Sequence, residues 1–133
     1  MKRLVILLAL ILVVSSNTLV QSVDEQKDTI ASPSFPGGFG KLQEYIKLNL
    51  KYPEDPKKMR VEGTVFVNLM IDSAGAIEPE SVKIMKGISI SLDREAIRLV
   101  KESPRWIPGR SLTLNRNISV KYTLPIRFTL EGK

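Results

Sequence analysis

The 133-residue chain has 20 basic and 14 acidic side chains, a formal charge of +6, and neither histidine nor cysteine. It therefore lacks the commonest general base, the thiol nucleophile and the usual zinc ligands, and it forms no disulfide. Its length holds one small domain, whose core must hold it together without cross-links.

Met1-Lys2-Arg3 followed by the apolar run Leu4 to Val14 matches the basic and apolar regions of a secretory signal. A cut at Asn17 fits Val14 and Ser16, and Ser22 offers a second point, so residues 1–22 are read as a signal peptide or an N-terminal membrane anchor. In either case the basic end stays cytoplasmic and the remainder is exported. Loss of Lys2 and Arg3 lowers the charge to +4, since no acid leaves with them. Lys41, Lys47, Lys51, Lys57, Lys58 and Arg60 are interleaved with acids, without the aromatic-rich basic stripe of nucleic-acid modules, and no nucleic-acid partner is expected.

Residues 23–34 are polar and end in Ser32-Pro33-Ser34, which reads as a short tether before a domain over residues 35–133. Phe39, Leu42, Ile46 and Leu50 recur at helical spacing and predict a helix from Phe39 to Lys51, closed by Tyr52-Pro53. Thr64 to Ile71 is apolar on both faces, as a central strand is; Asp72-Ser73-Ala74-Gly75 supplies a turn, and Ile77 to Lys86 returns as a second strand. Ser91 is the expected cap of the next helix, with Asp93 and Glu95 in its first turn and Leu92, Ala96, Leu99 and Val100 as its buried stripe, ended by Pro104. From Asn117 to Leu130 the residues alternate: Ile118, Val120, Tyr122, Leu124, Ile126, Phe128 and Leu130 face a core, and Ser119, Lys121, Thr123, Pro125, Arg127 and Thr129 face water.

The order α-β-β-α-β predicts an α+β, two-layer domain: a three-stranded antiparallel sheet of spatial order 2-1-3 packed with two helices. The prolines agree, because the strands holding Pro79 and Pro125 fall at the edges, where a missing amide is tolerated. The last strand is then an open edge, able to take an extended partner as a fourth strand. Lys121, Pro125 and Arg127 also suit an edge guarded against aggregation. Catalysis is the weaker reading: Asp93 and Glu95 suit a helix start, Glu78 and Glu80 flank a proline in a turn, and Gly37-Gly38 with Gly40 lack the strand and the Lys-Ser/Thr of a phosphate loop. No cofactor and no metal are expected.

Tyr52-Pro53, Glu62-Gly63-Thr64-Val65-Phe66-Val67, Leu92-Asp93-Arg94-Glu95-Ala96, Trp106-Ile107-Pro108-Gly109 and Leu124-Pro125-Ile126-Arg127-Phe128, in that order, resemble the C-terminal domain of TonB. The resemblance spans roughly Pro33 to Leu130. It implies a periplasmic, non-enzymatic domain that binds an extended segment of outer-membrane transport receptors by strand addition in energy-coupled transport, with an inner-membrane motor complex as second partner. By that resemblance the partner-binding residues are Tyr52, Pro53, Trp106, Ser119, Lys121, Thr123, Pro125, Arg127 and Thr129. The alternative is a freestanding periplasmic interaction or assembly module that uses the same edge without force, including self-pairing of two copies. Full-length members carry a membrane-spanning helix and a long proline-rich linker; here Asn17 to Ser34 reaches only about 60 Å fully extended.

The short apolar run with a polar second half predicts cleavage over anchoring. Mass measurement of the exported protein should show a form lacking Met1 to Val14; retention of that segment would overturn the expectation.

Overall fold

Strand propensity and a run that is apolar on both faces, buried on one and half-buried on the other, select Gly63–Ile71 as the axis of the sheet, and the other elements are placed by how they cover it. A computed structural model describes residues 28–130, and the expected signal or anchor lies outside the described residues. In chain order the elements are β1 (Ile30–Ala31), α1 (Phe39–Asn49), α2 (Glu54–Lys58), β2 (Gly63–Ile71), a 3-10 turn (Pro79–Ser81), β3 (Lys83–Lys86), α3 (Ile90–Lys101), β4 (Gly109–Ser111), β5 (Arg116–Ile118) and β6 (Val120–Phe128). The main sheet has the order β3-β2-β6, antiparallel throughout, which is the expected 2-1-3 arrangement with the Thr64 to Ile71 strand at its centre.

β2 and β6 pair without interruption from Gly63↔Phe128 to Ile71↔Val120. Their inner faces supply Val65, Val67, Leu69, Ile71, Leu124, Ile126 and Phe128 to the core, against Leu42 and Ile46 of α1 and Leu92, Ala96, Leu99 and Val100 of α3. Ile84 and Tyr122 pack at its margin, half-buried.

The structure corrects the remaining elements for identifiable reasons. The second strand begins at Lys83, because Pro79 opens a 3-10 turn. In place of strand pairing, the Met70 amide donates to Ser81 Oγ at 2.8 Å and the Glu78 amide donates to the Met70 carbonyl at 3.0 Å. Pro79 is thus a turn residue, and only Pro125 marks an edge strand. The final strand divides at Ser119, with β5 joining β4 and β1 in a second three-stranded antiparallel sheet. Gly109 permits the crossing beside β6: a Cβ there would meet Val120 Cγ2 at 2.4 Å.

The expected tether is part of the fold from its second half onward. Ile30 and Ala31 pair with Ser111 and Arg110, Ser34 bridges Ile107, Pro33 is buried and Phe35 enters the core. The Ser111 hydroxyl, fully buried, donates to the Asp28 carboxylate, and the Leu112 amide donates to the Thr29 carbonyl. The Thr113 and Ser111 hydroxyls beside Asp28 hold its carboxyl below the usual carboxylate range.

Helix α1 ends at Asn49, two residues early, and Phe39 at its start is 72% exposed; Tyr45 takes the inward position instead, donating from its hydroxyl to the Leu99 carbonyl at 2.8 Å. The five-residue α2, which starts after Pro53 with Glu54 and Asp55 in its first turn and Lys57 and Lys58 in its last, is too short for periodicity to reveal. The cap of α3 is Ser89, not Ser91: Ser89 Oγ accepts from the Leu92 amide at 3.3 Å, while Asp93 Oδ1 reaches back to accept from Ile88 N at 2.9 Å. In the turn after β2, Asp72 Oδ1 accepts from the amides of Ala74 and Ala76, both at 2.9 Å, and Gly75 takes φ +85°. Its carbonyl accepts from Trp106 N at 2.8 Å, an approach that any side chain at Gly75 would block.

Leu99 is 1% exposed between α1 and the sheet, so Leu99→Ala should lower unfolding free energy by about 2 to 5 kcal/mol in denaturant melts. A loss under about 0.5 kcal/mol would mean the stripe does not carry the core.

Candidate functional site

The direction of the main-chain groups along β6 follows from the other side of the sheet. Met70 spends both its amide and its carbonyl on the turn leading to β3, so the even-numbered residues of β2 face β3 and the odd-numbered ones face β6. The hydrogen-bonded pairs are therefore Val65 with Ile126, Val67 with Leu124 and Leu69 with Tyr122. Lys121, Thr123, Pro125 and Arg127 direct their main-chain groups outward, and among the described residues no strand pairs with that edge. Pro125, opposite Phe66, consequently removes nothing from the inner ladder.

The side chains of these four residues are exposed on the face away from the helices, with Thr123 Oγ1 hydrogen-bonded to Asn68 Oδ1 at 2.7 Å. Ser119 sits in the gap between β5 and β6, and Thr129 lies just past β6, where its hydroxyl donates to Glu62 Oε1 at 3.3 Å. Six of the nine expected contact residues thus follow one edge, from Ser119 to Thr129.

The other three lie elsewhere. Tyr52 is half-buried, its hydroxyl donating to the Val61 carbonyl and its ring meeting Phe128 edge-on with centroids 5.7 Å apart; it buttresses the end of β6 from the core side. Pro53 begins α2 and, with Tyr52, lines a shallow surface depression shared with Lys51, Glu54, Ser91, Arg94, Glu95 and Arg98. Trp106 is 3% exposed: its indole packs on Phe35 at 5.6 Å and Tyr122 at 5.3 Å, and Nε1 donates to Ser103 Oγ. The indole fills the core, and a partner at the surface would feel it only through Tyr122.

The sequence reading gave Glu95 the role of a helix-start acid and missed its structural one. It is buried, accepts from the Lys51 amide at 2.6 Å, and is gripped by Arg98, whose Nε and Nη2 donate at 2.7 and 2.8 Å. Arg98 Nη2 also donates to the Asn49 carbonyl at 2.9 Å. The pair therefore clasps the end of α1 and the start of the Tyr52-Pro53 loop to α3. Its sequence signal was the i,i+3 spacing of Glu95 and Arg98 beside the apolar stripe. Burial pushes the Glu95 carboxyl up, but the hydrogen bonds from Arg98 and the Lys51 amide outweigh it and hold the group below its ordinary value.

Comparison with known proteins places this architecture. The family described as Gram-negative bacterial TonB protein C-terminal matches residues 49–130, more than half of the chain. The chain belongs to the TonB C-terminal domain family. An NMR solution structure of the Helicobacter pylori TonB-CTD (residues 179-285) is similar at TM-score 0.52 and 22% identity, covering 71% of this chain and 81% of that one. A second, of the Helicobacter pylori TonB-CTD (residues 194-285), is similar at 0.53 and 21%, covering 71% and 95%. At these identities the likeness is one of fold. No curated protein matches. Family membership implies a role in TonB-type energy-coupled transport, and domains of this family are periplasmic and are not enzymes. No helix of the described residues is long and apolar enough to cross a membrane.

Because the folded-state pKa of Glu95 is depressed, its stabilisation is present above the unfolded-state value of 4.5 and is lost as pH falls through the lower folded-state value. Glu95→Gln should lower stability by about 1 to 3 kcal/mol at pH 7, with the difference from the parent shrinking at pH 3. Urea melts at both pH values check this; a pH-independent difference would mean that charge is not what the clasp uses.

Proposed function

We propose that this domain binds an extended segment of an outer-membrane transport receptor by adding it as a fourth strand along the outer edge of β6, as part of energy-coupled transport. The observation that carries the reading is the orientation of the edge. Lys121, Thr123 and Arg127 present both amide and carbonyl to an incoming strand, and Pro125 presents a carbonyl alone. A nine-residue strand held in register against β2 is pre-organised, so the partner bears most of the ordering entropy. Lys121 and Arg127, with Ser119, Thr123 and Thr129 between and beyond them, border the side chains such a strand would lay on the exposed face. Tyr52 and Trp106 support β6 from beneath, through Phe128 and Tyr122 respectively. The depression at Tyr52 and Pro53 is the second contact point, and the chain before Asp28 is the route toward an inner-membrane motor partner.

The missing amide of Pro125 sets the test. Thr123→Pro removes one more outward amide and should weaken capture of a receptor-derived extended peptide by about fivefold, the equivalent of about 1 kcal/mol. The change also deletes the hydroxyl bond to Asn68, so Thr123→Val serves as the control and should bind nearly as the parent does. Binding would be titrated by fluorescence anisotropy, with thermal melts confirming folding. Parent-like affinity in a folded Thr123→Pro protein would reject strand addition here and shift attention to the Tyr52-Pro53 depression. Sedimentation of the unliganded protein separates receptor binding from self-pairing of two edges.

A further inference from the structure

The sheet face turned away from the helices carries a pattern that strand addition at the β6 edge uses only in part. Along β2 this face shows Thr64, Phe66, Asn68 and Met70, all half-buried, and Met85, 56% exposed, is the extra residue of β3 at the register shift opposite Phe66 and Val67. The charged side chains that the flanking strands set beside this partly apolar strip are all cations, with Thr123 opposite Asn68 and Pro125 opposite Phe66 between those of β6. In register, Lys121 lies opposite Met70, Lys83 opposite Asn68, Lys86 opposite Phe66 and Arg127 opposite Thr64. All four are exposed, and among the described residues none has an ion-pair partner. Glu62, the acid preceding β2, is engaged by the Leu130 amide at 2.6 Å and by the Thr129 hydroxyl beyond the Arg127 end of the strip.

Four like charges left around half-buried Phe and Met side chains carry a mutual repulsion that an anionic, partly apolar cover would relieve. The spacing selects its shape. β3 and β6 each lie one strand from β2, so the two cation rows are about 10 Å apart, close to the width of one helix. From Thr64 to Met70 the strip runs about 20 Å, the length of about 13 helical residues.

We infer that this face docks an acidic amphipathic helix of a partner protein, its apolar stripe over Phe66, Met70 and Met85 and its carboxylates reaching Lys83 and Lys86 on one side and Lys121 and Arg127 on the other. This contact lies on the face of the sheet, whereas the edge contact lies in its plane; the two share Lys121 and Arg127, and only Lys83 and Lys86 belong to the face alone.

The test titrates the purified protein with a synthetic amphipathic peptide of about 14 residues, leucine on one stripe and glutamate on both flanks. A scrambled peptide of the same composition is the control. Backbone amide shifts should map to β2 and β3 as well as to β6 around Lys121 and Arg127, and affinity should fall about tenfold in the Lys83→Glu, Lys86→Glu double variant and at high salt. That variant leaves the β6 edge intact and should bind the extended receptor peptide as the parent does, so failure of either proposal is visible separately. Three results would overturn the inference. They are no binding, equal binding of the scrambled peptide, and shifts confined to β6. Capture of the protein by phosphatidylglycerol vesicles in place of the peptide would assign the face to an anionic lipid surface and overturn it as well.

Discussion

The ladder between β2 and β6 is the constraint on which the rest depends. Its nine pairs fix which side chains enter the core, which turn to the open face and which main-chain groups remain at the edge. A slip of one residue would exchange Leu124, Ile126 and Phe128 for Thr123, Pro125 and Arg127, placing a cation and an edge proline in the core. Burial of Val65, Val67, Leu69 and Ile71 opposite them makes that slip prohibitive. The same register that stabilises the domain therefore determines that Pro125 faces outward.

Several contacts hold β6 in place from its non-edge sides. Tyr52 abuts Phe128, Trp106 abuts Tyr122, and the second sheet arrives beside Val120 through the glycine at position 109. Trp106 is itself fixed by the hydrogen bond its amide donates to the Gly75 carbonyl, so the turn after β2 and the approach to the second sheet are tied together. The clasp of Glu95 and Arg98 joins the loop carrying Tyr52 to α3. Each of these supports leaves the outer edge of β6 without a pairing strand among the described residues.

The N-terminal connection enters through the second sheet and not through the main one. β1 pairs with β4, Ser34 bridges Ile107, and Asp28 is held by Ser111. A pull along the chain from this end would load the small sheet and the buried Phe35 before reaching the β2–β6 ladder. Lys121 and Arg127 belong to two surfaces at once, the edge of β6 and the open face, whereas Lys83 and Lys86 belong to the open face alone.

Much of this was legible in the residues. Alternation from Val120 to Phe128 identified the wet and dry faces of the last strand, the two-sided apolar run from Val65 to Ile71 identified the central strand, and helical spacing identified the buried residues of α3. These signals are local, because each rests on the period of a single element. What the sequence left open depended on partners distant in the chain. Ser119 breaks an apparently continuous strand only because β4 is near enough to take β5 away, and residues read as tether become a strand only because the β4–β5 hairpin offers them an edge. Glu95 looks like a helix-start acid until Lys51 and Arg98 are seen around it, and Trp106, a partner contact by the resemblance alone, is enclosed by Phe35 and Tyr122. Periodicity determined which side chains are apolar-facing; packing between elements far apart in sequence decided which of the remaining polar and aromatic groups are enclosed and which stay exposed.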